Sequence, residues 1–316
     1  MRILLTGSSG WLGQTLAPRL RALGHHVTGL DPVPGPNTQV VGSIADRDLV
    51  RRAIADAGAE AVVHAGALHK PNIEQVPRQA FVDVNVTGTL NLLEESVAQG
   101  VGRFVMTSTT SLMISREIRA GAAGGARRAA WLTEAMAPEP RNIYGVSKFA
   151  AENLCRLIHH EHGLPIVVLR TARFFPEADD MAHAIAQSDE NTKANELLFR
   201  RLTVEDAAEA HVVALAEATR IGFDIFIVSA PPPFSPDDAE ALIDDAPAVV
   251  ARYFPDYPTL YARRGWTMFK SIDRIYDPSH AARRLGFVCK TGFAELLAQL
   301  RSNDAPAGSA DAPRPG

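Results

Sequence analysis

Short apolar runs alternate with longer amphipathic stretches over the first 110 residues of the chain. The runs RILLTG, HVTGLD, TQVVGS, AEAVVHAGA and GRFVMTSTTS are typical of buried strands. Between them, the stretches WLGQTLAPRLRALG, DLVRRAIADAG and FVDVNVTGTLNLLEESVAQG have helical periodicity. Strands separated by helices of this length predict βαβ units and a parallel, doubly wound sheet.

The alternation loosens in the second half of the chain. A helix is predicted to begin near Tyr144, and the run PIVVLRTARFF after it predicts another strand. From about Phe174 the stretches PPPFSPDDAE and YFPDYPTLYARRGW do not continue the pattern, whereas IGFDIFIVSA predicts a late strand of the sheet. We therefore expect an α/β fold with a smaller, mixed C-terminal lobe and a disordered tail over 303–316.

The charge balance favours a small-molecule partner. The chain has 32 basic and 36 acidic residues, so it has no excess of positive charge of the kind that binds nucleic acid or anionic lipid. No apolar run reaches about 18 residues, and the start turns to glycine after three apolar residues, so we expect no membrane contact and a cytoplasmic protein. Cys155 and Cys289 are too few for a disulfide framework. The histidines at 25–26 and 159–162 fall at a helix–strand turn and a helix end, so we expect no metal site.

The motif TGSSGWLG places Gly7, Gly10 and Gly13 directly after the first predicted strand. The first glycine permits a tight turn, the second lets the backbone approach a pyrophosphate, and the third lets helix and strand pack closely. A plain turn would explain a glycine triplet alone, but the strand–loop–helix context predicts a dinucleotide site and a Rossmann-type fold. We expect a Rossmann domain over 1–173 to which segments of about 200–230 return, and a substrate-binding lobe mainly over 174–302.

Asp31 ends the second predicted strand. A carboxylate at this place accepts hydrogen bonds from the adenosine ribose and repels a 2′-phosphate, which favours NAD over NADP. Its neighbours Leu30 and Pro32 offer no cation for such a phosphate. An aspartate that only caps the turn before Pro32 is the alternative interpretation. We expect NAD as the cofactor.

Tyr144 and Lys148 lie one helical turn apart in the stretch YGVSK, so their side chains share a face. A nearby ammonium favours the phenolate and lowers the pKa of a tyrosine. A shift from about 10 to near 7 needs roughly 4 kcal/mol of differential stabilisation. A chance surface pair is the alternative for this pattern alone. Because the pair follows five βα elements and a glycine loop in the sequence, it predicts a site where Tyr144 transfers a proton.

The chain resembles an extended short-chain dehydrogenase/reductase of the NAD-dependent epimerase/dehydratase family, over about residues 1–300. The resemblance is carried, in the expected order, by TGSSGWLG, HAGA, NVTGTLNLLE, MTSTTS, YGVSKFAAE, VVLRTARFF, LTVEDAAEAHVVAL and YDPSHAARRLGF. It implies a Rossmann-type doubly wound sheet with a substrate lobe, an enzymatic activity and NAD as cofactor.

The resemblance implies a site as well. Thr109 holds the substrate oxygen, Tyr144 transfers the proton and Lys148 bonds the nicotinamide ribose. Thr109 stands in a run of hydroxyls, so it could instead cap the end of the strand, or the substrate contact could fall on a neighbouring hydroxyl. For Asn85, the alternative to a cofactor contact is a structural role in its helix. Cofactor contacts are expected at Gly7, Gly10, Trp11, Leu12, Gly13, Asp31, Ser43, Ile44, His64, Ala65, Gly66, Asn85, Thr107, Tyr144 and Lys148, and substrate contacts at Ser108, Thr109, Arg173 and Arg201.

Three departures from the family pattern bear on the substrate. Ser43 stands where the family usually has an aspartate for the adenine, and Asp46 is a possible substitute. The span between Thr109 and Tyr144 predicts a long, glycine-rich loop beside the site. No asparagine follows the VVLR strand to grip a diphosphate; Arg173 is the anion-binding candidate there. Arg200 and Arg201 either reach a substrate phosphate or form a solvated pair.

Three functions remain open. The first is an NAD-dependent oxidoreductase or epimerase acting on a secondary alcohol of a sugar or nucleotide-sugar-like substrate. The second is a reductase of a small carbonyl compound, and the third is a non-catalytic dinucleotide-binding protein. Dehydration is disfavoured because Thr110 and Ser111 replace the acidic pair that family dehydratases use. The helical stretches 85–99 and 146–160 resemble the pair that forms the dimer interface in the family, so we expect a homodimer, with a monomer as the alternative.

Overall fold

Seven parallel strands form the main sheet in the computed structural model, which describes residues 1–174 and 187–304. The strands of the protein are β1 Arg2–Thr6, β2 His26–Asp31, β3 Val40–Val41, β4 Ala61–His64, β5 Phe104–Thr109, β6 Ala130–Leu132, β7 Ile166–Thr171, β8 Phe223–Val228 and β9 Arg274–Tyr276. The order in the main sheet is β3-β2-β1-β4-β5-β7-β8, and every pairing is parallel. The predicted doubly wound α/β fold is confirmed. Its strand order reverses between β1 and β4, and ligands bind at such a switch point.

Helices cover both faces of the sheet. They are α1 Trp11–Ala22, α2 Arg47–Ala57, α3 Arg78–Phe81, α4 Gly88–Ala98, α5 Arg116–Ala120, α6 Ile143–His162, α7 Asp189–Glu196, α8 Val204–Ile221, α9 Ala239–Asp244, α10 Ala246–Tyr253, α11 Tyr257–Ala262 and α12 Phe293–Asp304. Successive residues of β1 serve opposite faces: Ile3 and Leu5 pack in the cluster that includes Leu16 of α1, and Leu4 packs with Leu92 of α4. Burial on both faces explains why the strands are apolar throughout.

The predicted helix over 81–100 is not regular. Its central segment, Val82–Thr87, is π-helical and joins α3 to α4. A π-helical turn accommodates an extra residue and re-aims the side chains near it, and such turns recur at functional sites. Asn85 lies in this turn and is buried.

Helix α6 has well-defined ends. The Asn142 side chain accepts a hydrogen bond from the backbone N of Gly145 at 3.0 Å, and Gly163 ends the helix with φ = 70°. The helix therefore begins at Ile143. Tyr144 falls in its first turn and Lys148 in the next, and both line the cavity described below.

A second, two-stranded sheet pairs β6 with β9, with Ala130 opposite Arg274. The span between Thr109 and Tyr144 is therefore more ordered than the predicted loop, since it contains α5 and β6. The pairing brings the late segment 274–276 beside the 110–141 region. A separate apolar cluster lies in the C-terminal half, and Trp266 and Phe269 pack against it.

One strand boundary differs from the sequence-based expectation. The strand predicted over 165–175 ends at Thr171, because its neighbour β8 ends at Val228, the register partner of Thr171. Residue 175 and the tail residues 305–316 lie outside the described residues. The division into a Rossmann domain and a substrate lobe stays a prediction. Within the ranges 1–174 and 187–304, no helix is both long and apolar enough to cross a membrane.

Candidate active site

A cavity of about 460 Å³ opens at the carboxyl ends of the strands, where the strand order reverses. It brings the glycine loop and the Tyr144–Lys148 pair together. The predicted residues that line it are Gly7, Gly10, Trp11, Leu12, Asp31, Ser43, Ile44, Ala65, Gly66, Thr107, Ser108, Thr109, Tyr144, Lys148 and Arg173. Four predicted residues do not line it: Gly13, His64, Asn85 and Arg201.

The glycine loop leaves no room for side chains. Gly7 adopts φ = 74°, and a Cβ there would lie 2.6 Å from the backbone N of Gly66. A Cβ on Gly13 would lie 2.1 Å from the carbonyl oxygen of Gly7, so Gly13 serves helix–strand packing and not the cavity wall. Gly10 precedes α1 without a side-chain cap, which leaves the first N–H groups of the helix for an anion. These residues fit the pyrophosphate of a dinucleotide.

Asp31 has two functions at the adenosine end. Its Oδ1 accepts from the backbone N of Val33 at 2.9 Å and its Oδ2 from that of Ser9 at 3.1 Å, while the side chain lines the cavity. The carboxylate thus shapes the turn and retains lone pairs for ribose hydroxyls. Asp46 does not replace the missing adenine contact, because its side chain caps α2 at the backbone N of Leu49.

His64 belongs to a buried hydrogen-bond chain behind the glycine loop. Thr89 donates to the carbonyl of Asn85 at 2.6 Å, so Nε2 of His64 donates to Thr89 Oγ1 at 3.0 Å. Nδ1 of His64 then accepts from the hydroxyl of Thr6 at 2.7 Å. Burial holds the pKa of His64 well below its usual range, with Lys148 acting in the same direction. The His64 ring is neutral and does not line the cavity, whereas Ala65 and Gly66 do; a cofactor contact of the His64 backbone stays a prediction.

The Asn85 side chain joins the backbone at Leu68 to helix α6. Its Oδ1 accepts from the backbone N of Leu68 at 2.8 Å, and its Nδ2 donates to the carbonyl of Leu68 and to Ser147 Oγ, both at 2.9 Å. The Ser147 hydroxyl donates to the carbonyl of Tyr144 at 2.9 Å. These bonds favour the structural interpretation of Asn85, whose side chain does not line the cavity. A cofactor contact of Asn85 stays a prediction.

Tyr144 and Lys148 are both shifted by burial. The pKa of Tyr144 is raised to about 12 by burial, against which a hydrogen bond with Thr109 acts. Lys148 is 2% exposed, and burial lowers its pKa to about 8. The sequence predicted that the Lys148 ammonium would lower the pKa of Tyr144. Among the described residues, burial has the larger effect and raises that pKa instead. Tyr144 keeps part of its surface on the cavity.

The three hydroxyls at the end of β5 have different partners. Thr107 bonds His211 Nε2 at 2.7 Å, and Ser108 donates to Glu152 Oε1 at 2.6 Å. Thr109 accepts from the backbone N of Ser111 at 3.1 Å and bonds Tyr144. The strand-end cap and the Tyr144 contact are therefore both features of Thr109. Ser108 lines the cavity, but its hydroxyl proton is donated to Glu152, so its substrate contact stays a prediction.

Guanidinium groups converge at the Tyr144 end of the cavity. The arginine cluster consists of Arg119, Arg141, Arg173, Arg200 and Arg274. Burial lowers the pKa of Arg119, and the charges of Arg274, Arg200 and Arg141 lower it further, which shows that these cations repel one another. The sequence did not single out Arg119, Arg141 or Arg274, because they come from α5, the segment before α6, and β9.

Two carboxylates offset part of the positive charge. Glu196, fully buried, lies 2.8 Å from Arg200 Nη2 and 3.3 Å from Arg201 Nε, and Asp273 pairs with Arg274. Arg201 pairs with Glu196 and does not line the cavity, whereas Arg200 does; the substrate contact expected of Arg201 stays a prediction. Nε of Arg200 is buried without a hydrogen-bond acceptor in the described part of the chain. An anion entering the cluster would relieve this repulsion.

A family model defines the class of protein. The model of the NAD dependent epimerase/dehydratase family matches residues 3–227. The chain belongs to this family. Its predicted assignment as an NAD-dependent enzyme of the extended short-chain dehydrogenase/reductase type is confirmed.

Individual relatives are more distant. An uncharacterised protein of Sinorhizobium fredii is 32% identical over 53% of this chain, a match that spans only 39% of that relative. A uronate dehydrogenase of Pseudomonas syringae is 25% identical over 71% of this chain and 77% of its own. The solved UDP-N-acetylglucosamine 4-epimerase of Bacillus cereus superposes with a TM-score of 0.65 at 21% identity, over 96% of this chain and 99% of its own. That last likeness shows the fold alone.

Proposed function

We propose that the protein moves a hydride reversibly between NAD and a secondary alcohol carbon of a carbohydrate that carries a carboxylate or a phosphate. The observation that supports this substrate class is the arginine cluster at the Tyr144 end of the cavity. Guanidinium groups pair with carboxylate and phosphate oxygens through two parallel hydrogen bonds. A uronate dehydrogenase and a UDP-sugar epimerase among the similar proteins are consistent with a sugar that bears an anionic group.

The proton is handled by residues of β5 and α6. In oxidation, Tyr144 in its phenolate form takes the hydroxyl proton while the carbinol carbon gives up a hydride and becomes a ketone; in reduction, the Tyr144 phenol returns the proton. Thr109, hydrogen-bonded to Tyr144, holds the substrate oxygen. Lys148 holds the nicotinamide ribose. NAD, when bound, supplies the ring carbon that accepts or returns the hydride.

A reductase of a small carbonyl compound is the second candidate. One observation favours it: the pKa of Tyr144 is raised to about 12, so the phenol carries its proton near neutral pH and is ready to donate it. The cluster of guanidinium groups argues for an anion in either case, and the direction of net turnover distinguishes the two.

The experiment is a paired substrate panel. Uronic acids, sugar phosphates and nucleotide sugars are each tested with NAD beside the neutral sugar of the same stereochemistry, and with NADH beside the corresponding ketones. NADH absorbance reports net oxidation or reduction, and a deuterium at the carbinol carbon reports epimerisation without net change in NAD. We expect turnover of at least one anionic member and a lower kcat/KM for its neutral counterpart. Equal kcat/KM for both would contradict the substrate class.

We propose a homodimer formed through α4 and α6. Helix α4 packs against α6; Val146 and Leu157 of α6 are exposed, as is Val82 of the π-helical segment that precedes α4. Sedimentation equilibrium tests the proposal, and a monomer mass at all concentrations would contradict it. Leu157→Lys should shift the equilibrium toward monomer. The cytoplasmic location stays a prediction.

A further inference from the structure

A buried ion pair lies directly behind the catalytic residues. Arg170 of β7 contacts both carboxylate oxygens of Glu152, at 2.8 Å through Nη2 and 3.1 Å through Nε. Ser108 donates to the same carboxylate at 2.6 Å. Glu152 and Arg170 are 2% and 3% exposed. The network therefore joins β5, β7 and α6 at the point where Thr109 and Lys148 enter the cavity.

Glu152 lies one helical turn after Lys148, on the same face of α6. Burial lowers the pKa of Lys148, and negative charge on Cys155 or Glu152 acts against that shift. Because burial raises the pKa of the Cys155 thiol, Cys155 is uncharged near pH 8, and Glu152 supplies the negative charge. The other groups around Lys148 do not replace it. Tyr144 and Cys155 lie on α6 itself, neutral His64 is the titratable residue of β4, and Arg170 is that of β7.

The remaining packed elements contribute only distant or paired charges. The segments that pack on α6 from the Lys70–Ala98 side carry Lys70, Glu74, Arg78 and Asp83, all exposed. In α4, Glu94 and Glu95 pair with Arg47. Among the described residues, Glu152 is thus the buried carboxylate next to Lys148.

We propose that Glu152 is a positioning residue of the hydride-transfer site: clamped by Arg170, it keeps Lys148 in its ammonium form and holds the end of β5 through Ser108. The proposal rests on the proposed function for its catalytic meaning, but its physical content is independent of substrate. Arg170 has a double role. It makes burial of the carboxylate possible, and its positive charge moderates the effect of that carboxylate on Lys148.

The charge effect predicts opposite responses in two variants. Glu152→Gln keeps the shape of the side chain and a hydrogen-bond acceptor for Ser108 but removes the negative charge, so the ammonium of Lys148 should lose its proton at lower pH. Arg170→Gln removes the positive charge and leaves the carboxylate, so Lys148 should keep its proton to higher pH. Loss of packing alone would move both variants in the same direction.

The measurement is a pH titration of the lysine ¹³Cε signals by NMR. The chain has only five lysines, and the Lys148 signal is identified by its absence in Lys148→Met. We expect a wild-type midpoint of about 8, a midpoint lower by about one pH unit in Glu152→Gln, and a higher one in Arg170→Gln. Glu95→Gln is the matched control, because Glu95 is also a buried, arginine-paired helical glutamate but lies outside the cavity.

Each outcome is decisive. An unchanged midpoint in Glu152→Gln, or shifts of the same sign in both variants, would overturn the proposal. If a single variant does not fold because it leaves one buried charge unpaired, the double variant Glu152→Gln/Arg170→Gln removes both charges. It should still show a lowered midpoint, and an unchanged one would overturn the proposal. NADH titration of the same samples separates the two hypotheses: wild-type protein that fails to bind NADH contradicts the proposed function, while the lysine midpoints still decide the role of Glu152.

Discussion

The hydroxyl of Thr107 and Nε2 of His211 lie 2.7 Å apart, and the direction of their hydrogen bond is fixed. Nδ1 of the same ring donates to the carbonyl of Ala207 at 2.7 Å, so in the neutral ring Nε2 has a lone pair and accepts from Thr107. Burial lowers the pKa of His211 to about 4, which keeps the ring neutral. Thr107 therefore presents only oxygen lone pairs to the cavity.

This arrangement predicts a pH dependence of stability. Unfolded His211 takes up a proton below its usual pKa of about 6.5, whereas the folded ring resists protonation down to about 4. The unfolded state then binds more protons, so the free energy of unfolding falls as pH falls through this window, by about 3 kcal/mol in total. Urea unfolding between pH 7 and 4 should show a smaller loss in His211→Gln than in the wild type, because the variant keeps the contribution of His64, whose pKa is also lowered by burial. The exposed His160→Gln should behave as the wild type; equal slopes in wild type and His211→Gln would refute the assignment.

Gly13→Ala tests the close approach of α1 and the glycine loop. The added Cβ would meet the backbone of Gly7 at 2.1 Å, so helix or loop must shift. We expect a loss of about 2 kcal/mol in the free energy of unfolding and weaker NAD binding. Gly102→Ala is the control, since its Cβ meets nothing closer than 3.5 Å. Similar NAD affinity in both variants would show that the loop does not hold the cofactor.

Asp31→Asn tests the preference for NAD. The substitution removes the negative charge that would face a 2′-phosphate, so the ratio of the NADP and NAD dissociation constants should fall about tenfold, or about 1.4 kcal/mol. Fluorescence titration with NADH and NADPH measures the ratio. Asp46→Asn retains a cap on α2 away from the cavity and should leave the ratio as it is. An unchanged ratio of dissociation constants in Asp31→Asn would show that the Asp31 carboxylate does not lie at the adenosine site.

Arg141→Met tests the anion site. Arg141 lines the cavity and donates through Nε to the carbonyl of Ile114 at 2.7 Å, which leaves its terminal nitrogens for a ligand. Loss of one charge-assisted contact of about 1.5 kcal/mol should raise KM for an anionic substrate about tenfold, with a much smaller change for the neutral counterpart. The exposed Arg116→Met, outside the cavity, should change neither. An equal loss for anionic and neutral substrates would indicate a folding defect instead of lost recognition.

The glycine loop and the Tyr144–Lys148 pair could be predicted because the residues of each lie close together in the sequence. Gly7, Gly10 and Gly13 lie within one strand–loop–helix unit, and Tyr144 and Lys148 lie on one helical turn. Short-range periodicity and spacing therefore place these residues on the correct elements.

The arginine cluster could not be predicted in the same way. Arg119, Arg141 and Arg274 meet because β6 pairs with β9, a pairing of three-residue strands between distant segments. Strands of that length have no readable periodicity. The hydrogen bonds of the His64 and Asn85 side chains could not be predicted either, because their partners Thr6, Thr89, Leu68 and Ser147 are known only from the tertiary contacts.

Proton transfer by Tyr144 is tested most directly with Tyr144→Phe. The wild type and the variant are incubated with NAD and the best anionic substrate of the panel, deuterated at the carbinol carbon, and deuterium transfer is followed in single turnover. The variant should bind NADH as the wild type does and transfer deuterium at least about 100-fold more slowly, because the phenol that exchanges the substrate proton is gone. Transfer at the wild-type rate in Tyr144→Phe, with cofactor binding intact, would contradict the proposed mechanism.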